Sequence, residues 1–275
     1  MNFYYFNGGN HIENGKIEIL EESGFTGVLF TYDLSSGDYF TRIARHMKED
    51  QKIIYMVAIR PYNISPQYLT MINSSIQNII PDRLQINLIS GNIKENEKLF
   101  NGVIGKVNDL SNNIERSNFL IKYIEELYKL KTKSEENLKS PDCFISSTNK
   151  FVFNKAKELN QKAIISYWDF KNKYWTEYES YLSGEKTWLG EKIDLSNIEV
   201  MVKITPIIRE TKEELIKLSK EYDIKDTEYF TTEEFDQFIK DLKKKNINYL
   251  MLQPWPIEED QFTIDYVKNF KKRFK

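Results

Sequence analysis

The chain has 275 residues, 40% of them hydrophobic and 14% aromatic, with 39 basic side chains against 41 acidic ones. This balance fits a soluble globular protein able to bury a large core. It excludes a disordered chain and gives no support to nucleic-acid binding. No apolar run approaches the ~20 residues of a membrane span, the first residues lack a secretory signal, and the lone Cys143 allows no internal disulfide. A cytoplasmic protein is therefore expected.

The predicted elements alternate along the chain. A strand over residues 3–6 leads to a helix over 13–23, stopped by Gly24. A strand over 27–31 precedes a helix over 36–48, and a strand over 52–59 precedes a helix over 65–79 with Ser65-Pro66 as its N-cap signal. The fourth strand, 84–89, is followed by a long loop to about Asn112 and a helix over 113–131. Strands over 142–146 and 163–167 then alternate with helices over 149–159 and 171–182. The seventh strand spans 200–208 and the eighth 249–252, joined by helices over 211–222 and 232–245, the latter started by Thr232-Glu233-Glu234. A last helix over 259–274 carries cations that complement its C-terminal dipole. Most strands are near-continuous apolar runs, as expected for strands covered on both faces. Eight strand–helix units fit a closed (β/α)8 TIM barrel or a doubly wound open sheet, and the count favours the barrel, with residues 1–275 as a single domain.

In a barrel the chemistry sits where strands run into the loops that follow them. The residues there give little scope for several reactions. His11 and His46 are the only histidines, and neither an H-E-x-x-H nor a paired-cysteine spacing exists to hold a metal. The G-x-S-x-G, G-x-G-x-x-G and P-loop patterns are absent as well. An anion site has more support: Ser146-Ser147-Thr148-Asn149 connects a strand to a helix, where hydroxyls and free N–H groups cradle a phosphate, although one of them capping the helix explains a single hydroxyl. Arg60 holds a second anion or a rim salt bridge. Trp168 and Trp255, at strand ends, stack on a flat ring or pack in the core.

Taken together, these segments resemble the bacterial luciferase-like flavin monooxygenases, closest to their alkanesulfonate branch. The resemblance is carried by Gly24-Phe25-Thr26-Gly27-Val28-Leu29, Val57-Ala58-Ile59-Arg60-Pro61 and Asp82-Arg83-Leu84-Gln85-Ile86-Asn87-Leu88-Ile89-Ser90-Gly91. Ser146-Ser147, Tyr167-Trp168 and Ile207-Ile208-Arg209-Glu210-Thr211 continue it in the same order. It implies a luciferase-like TIM barrel that uses reduced FMN, supplied by a separate flavin reductase, to oxygenate a small organic substrate. By the same resemblance Ser146 and Ser147 hold the flavin phosphate, and Ala58, Asn87 and Ser90 line the flavin; Trp168 and Trp255, from their places at strand ends, are expected to wall the pocket.

The departures from that branch are specific. Ser36 stands for a cysteine, Lys203 and Thr205 for an arginine and a histidine, and Trp255 for a tyrosine, at positions expected to line the substrate pocket. Glu115-Arg116-Ser117 lacks the tyrosine of the matching helix motif, and the insertion between the seventh and eighth strands is largely missing. Sulfonate is therefore not carried over as substrate. His11 is the expected acid/base, because an imidazole titrates near neutrality, unless it only organises its loop. Lys203 and Arg60 are expected to orient an anionic group. An accessory flavin-binding barrel and a deazaflavin-dependent hydride-transfer enzyme are the alternatives. A homodimer through the outer helices is expected.

Overall fold

The computed structural model describes residues 1–6, 12–13, 15–31, 38–90, 113–133, 139–147, 150–167, 197–222, 228–254, 256 and 259–274. Its strands are β1 (Asn2–Phe6), β2 (Gly27–Phe30), β3 (Ile54–Ile59), β4 (Leu84–Ile89), β5 (Asp142–Ser146), β6 (Lys162–Ser166), β7 (Val200–Ile204), β8 (Pro206–Arg209), β9 (Glu228–Thr231) and β10 (Tyr249–Leu252). The helices are α1 (Lys16–Glu22), α2 (Tyr39–Ala44), α3 (Pro66–Ile79), α4 (Asn113–Lys133), α5 (Lys150–Glu158), α6 (Lys212–Tyr222), α7 (Thr232–Lys244) and α8 (Asp260–Arg273). Eight strands close a parallel barrel in the order β1-β10-β7-β6-β5-β4-β3-β2, which is the expected TIM barrel. Among the described residues no helix is long and apolar enough to cross a membrane. The expected helix over 171–182 lies outside the described residues.

The seventh strand departs from expectation. It breaks at Thr205 into β7, which stays in the barrel, and β8, which pairs in parallel with β9 as a separate two-stranded sheet. Pro206 has no N–H to continue the barrel ladder. The Thr205 carbonyl instead accepts the Glu228 N–H at 3.1 Å, which starts the new ribbon. The connection expected to be helical thus contains a strand, and α7 is capped one residue earlier than expected. Thr231 accepts from the Glu234 N–H while the Glu234 carboxylate accepts from the Thr231 N–H, a reciprocal capping box. The second helix is also shorter than expected, starting where Asp38 accepts from the Thr41 N–H at 2.8 Å.

Cα packing divides the chain into two compact units, formed by the described parts of 1–55, 165–170 and 200–275, and of 56–164 and 171–199. In the first unit, period-2 alternation sorts β1. Phe3 meets Phe270 of α8 edge-on at 5.3 Å, and the Tyr5 hydroxyl donates to Asp260 Oδ1 at 2.8 Å, so both face the helices. Tyr4 and Phe6 therefore line the inner face. Tyr4 lies in register with Gly27, where a Cβ would come within 2.4 Å of its ring, so only glycine fits there. Gly24 ends α1 at φ +92°, a left-handed stop that glycine adopts without strain. α7 buries Phe235, Phe238, Ile239 and Leu242, one helical stripe.

In the second unit, Leu88 and Cys143 face outward, lining a cavity of about 170 Å³ with Ile124 and Leu127 of α4. Burial pushes the Cys143 thiol far up, so it is an inert core residue rather than a nucleophile. α3 begins at the expected cap, with Ser65 Oγ accepting from the Tyr68 N–H at 3.2 Å.

Candidate functional site

The outward direction of Leu88 and Cys143 turns Gln85, Asn87, Asp142, Phe144 and Ser146 to the inner face of β4 and β5. Barrel interiors are usually filled by branched apolar side chains, so polar residues at alternate positions need a reason. At the N-terminal end they satisfy one another. Asp142 Oδ2 accepts from Gln85 Nε2 at 2.8 Å and from Lys162 Nζ at 2.8 Å, a closed cluster at the face associated with stability.

The C-terminal end is different. Ser146 donates its hydroxyl proton to Asn87 Oδ1 at 2.8 Å, which leaves the Asn87 amide nitrogen with both donors unused among the described residues. Ser90, just past β4 and only 9% exposed, makes no side-chain hydrogen bond among the described residues. Ala58, on β3, is 3% exposed and presents a small side chain. Ser147 follows β5 directly and is half-buried. A buried polar group left without a partner costs about 1–3 kcal/mol, which a hydrogen-bonding ligand would recover.

Arg60 follows β3 in extended conformation and is buried, ahead of a 3-10 turn over Pro61–Asn63 against which α4 packs. α4 itself carries two buried polar residues, Arg116 and Ser117, and the Ser117 hydroxyl, 1% exposed, has no partner among the described residues. The sequence reading noted this pair only as a departure from a motif. The missed signal was an arginine on the buried side of a helix, where charge is rarely placed without use.

In the first unit Lys203 occupies the inner face of β7, in register with Met251 of β10, which pairs in turn with Tyr4. Its Nζ lies 4.5 Å from the centre of the Phe6 ring, and burial lowers its pKa below the ordinary lysine value. Thr205 stands at the β7 break described above. Tyr167, at the end of β6, packs edge-on against Phe238 at 5.0 Å, and burial, with Glu228 nearby, pushes its phenol up. The expected residues His11, Ser36, Trp168 and Trp255 lie outside the described residues, as do Thr148 and Asn149. Thus the structure brings Asn87 and Ser146 into direct contact, sets Ser90 and Ser147 just past the ends of neighbouring strands, and places Lys203 and Thr205 on β7 and at its end.

Arg209, in the Ile207–Thr211 stretch, makes a two-pronged ion pair with Glu259, both contacts at 2.7 Å, and its guanidinium lies 3.8 Å from the Phe262 ring centre. With every charge matched, this pair anchors β8 to the start of α8 rather than offering a binding site. Among the described residues no group of three or more His, Cys, Asp or Glu side chains could hold a metal.

No protein-family model matches the chain, and no curated protein matches it. Solved structures do. The monooxygenase RslO1 from Streptomyces bottropensis is similar at TM-score 0.65 and 12% identity, with 98% of each chain covered. Riboflavin lyase (RcaE), solved with modified FMN and its substrate riboflavin, is similar at TM-score 0.66 and 11% identity, covering 99% of this chain and 91% of that one. The coenzyme F420-dependent tetrahydromethanopterin reductase from Methanopyrus kandleri is similar at TM-score 0.60 and 12% identity, covering 97% of this chain and 96% of that one. At these identities the likeness defines a shared fold: the chain is a (β/α)8 barrel of the kind seen in these three enzymes.

Proposed function

We propose that this protein is a flavin-dependent oxidoreductase of monooxygenase type that uses reduced FMN and oxygen on a small organic substrate. The observation that carries the reading is the open hydrogen-bonding capacity of Asn87, Ser146 and Ser90 at the C-terminal ends of β4 and β5. Such donors and acceptors suit the polar edge of a planar heterocycle, and Ala58 leaves room beside them. The orphaned Ser117 hydroxyl next to Arg116 suits an anionic tail, as do Ser147 and Arg60. When bound, the flavin supplies the redox chemistry; the chain's residues bind it, orient it and exclude water. His11 is proposed to donate the proton the reaction needs, and Trp168, Trp255, Ser36 and Thr205 to shape the substrate pocket. A separate flavin reductase and a homodimer belong to the same proposal.

Likeness to an F420-dependent reductase over nearly the whole chain favours a second reading, hydride transfer with a deazaflavin. Titration with FMN, reduced FMN and a deazaflavin, followed by fluorescence, separates the two. Binding of reduced FMN with oxygen uptake in the presence of a reductase supports the first reading. Deazaflavin binding without oxygen uptake moves the assignment to the second, and flavin binding with no turnover of any kind moves it to an accessory flavin-binding barrel. Absence of binding by every flavin overturns all three.

A further inference from the structure

Ile124, Leu127, Tyr128 and Lys131 recur on α4 at the spacing of one helical face, and all four border the cavity beneath that helix. Opposite them stand Leu88 and Cys143, and the space between is about 170 Å³. A hydrocarbon-lined cavity of about 150 Å³ holds a benzene ring, so this one has room for a single ring with a small substituent. Its lining is unequal. Leu88, Ile124, Leu127 and Cys143, each 5% exposed or less, make an apolar floor. Two charged residues stand at its edge. Asp142 is already engaged, with its Oδ2 accepting from Gln85 Nε2 and from Lys162 Nζ, each at 2.8 Å. Lys131 has no ion pair and no hydrogen bond among the described residues, whereas Lys129 beside it pairs with Glu126 at 2.8 Å. The Lys131 charge reaches the floor: burial raises the Cys143 thiol, and Lys131 opposes that rise.

We propose that this cavity binds a small aromatic carboxylate, with its ring on the apolar floor and its carboxylate on the Lys131 ammonium. Water over a hydrocarbon floor has few hydrogen-bond partners, so a ring that displaces it gains free energy. The cation at the edge then selects a ligand with a negative end, through a charge-assisted hydrogen bond. A neutral ring would leave that cation unused, and an inorganic anion would leave the floor wet. The cavity lies within one compact unit, against the start of β5 rather than the end that carries Ser146. The inference rests on this lining and does not depend on flavin binding.

The test is a titration of the intact protein with 4-fluorobenzoate, followed by fluorine NMR. Fluorobenzene serves as the uncharged probe and inorganic phosphate as the competing anion. Saturable binding of one 4-fluorobenzoate per chain is expected, several-fold tighter than that of fluorobenzene and not displaced by phosphate. Lys131→Met, at an exposed position, is expected to weaken 4-fluorobenzoate several-fold and to erase its advantage over fluorobenzene. Cys143→Met, which extends a side chain into the floor, is expected to weaken both ring probes; if it fails to fold, Lys131→Met and the parent protein decide alone. Absence of saturable binding at millimolar 4-fluorobenzoate overturns the proposal, as does binding that Lys131→Met leaves unchanged. Equal binding of fluorobenzene, which would make this an apolar pocket only, overturns it too, and so does displacement by phosphate, which would make it an anion site only.

Discussion

Asn87 is 5% exposed within a strand whose outward neighbours, Ile86 and Leu88, are wholly buried hydrocarbon. A polar residue in that setting loses water on folding and receives one hydrogen bond in return, from Ser146. The alternation Gln85-Ile86-Asn87-Leu88 is readable in the sequence as an inward polar face. It does not say which polar residue is satisfied and which is left open, because Asp142 and Lys162, which close the cluster around Gln85, come from other strands. The burial of Arg116 and Ser117 is not readable for a similar reason: it follows from how α4 packs on the Pro61–Asn63 turn. Asn87→Leu is expected to weaken FMN binding about tenfold or more, the equivalent of one good hydrogen bond, and to lower stability by about 1 kcal/mol, because it also takes away the acceptor of the Ser146 hydroxyl. Isothermal titration beside a thermal melt checks both halves. Ser146→Ala removes a bond that both residues need and is expected to cost about 1 kcal/mol in denaturant unfolding.

Helix starts were largely legible, because caps are local. Ser65 holds its expected place, and the α7 cap was misplaced by one residue, since Thr231 and Thr232 are adjacent and only the geometry of Glu234 distinguishes them. The β7–β8 break was not legible. Met201 to Ile208 is apolar enough for one strand, and Pro206 in it acts only because residues far along the chain supply β9. Thr231→Ala is expected to destabilise the protein by about 1 kcal/mol through loss of the capping box. Glu259→Gln should do more. It leaves Arg209, 10% exposed, facing a neutral partner in a buried ion pair, with an expected loss of up to about 3–5 kcal/mol. Urea unfolding of the two variants side by side checks the order, which would reverse if the ion pair were solvated.

For the whole molecule, the alternation of strands and helices revealed a barrel because eight parallel strands with covering helices have few other ways to bury both faces. The pH response also belongs to this scale. His46 lies against Phe30, and its pKa is lowered by burial and by the charge of Arg45 beside it. A base whose folded pKa lies below its unfolded value favours the native state when neutral, so its contribution is present above about pH 6.5 and is lost as pH falls through the folded value. The thermal midpoint is expected to drop on acidification below about pH 6.5, and His46→Gln is expected to flatten that part of the profile.

The central claim, that the ends of β3, β4 and β5 seat a flavin, is tested most directly by a crystal structure of the protein grown with FMN. The account predicts density for a three-ring system against Ala58 and Asn87, with its phosphate at Ser147 or at Arg116. Density elsewhere on the protein, or none at saturating FMN with these side chains well ordered, would contradict it.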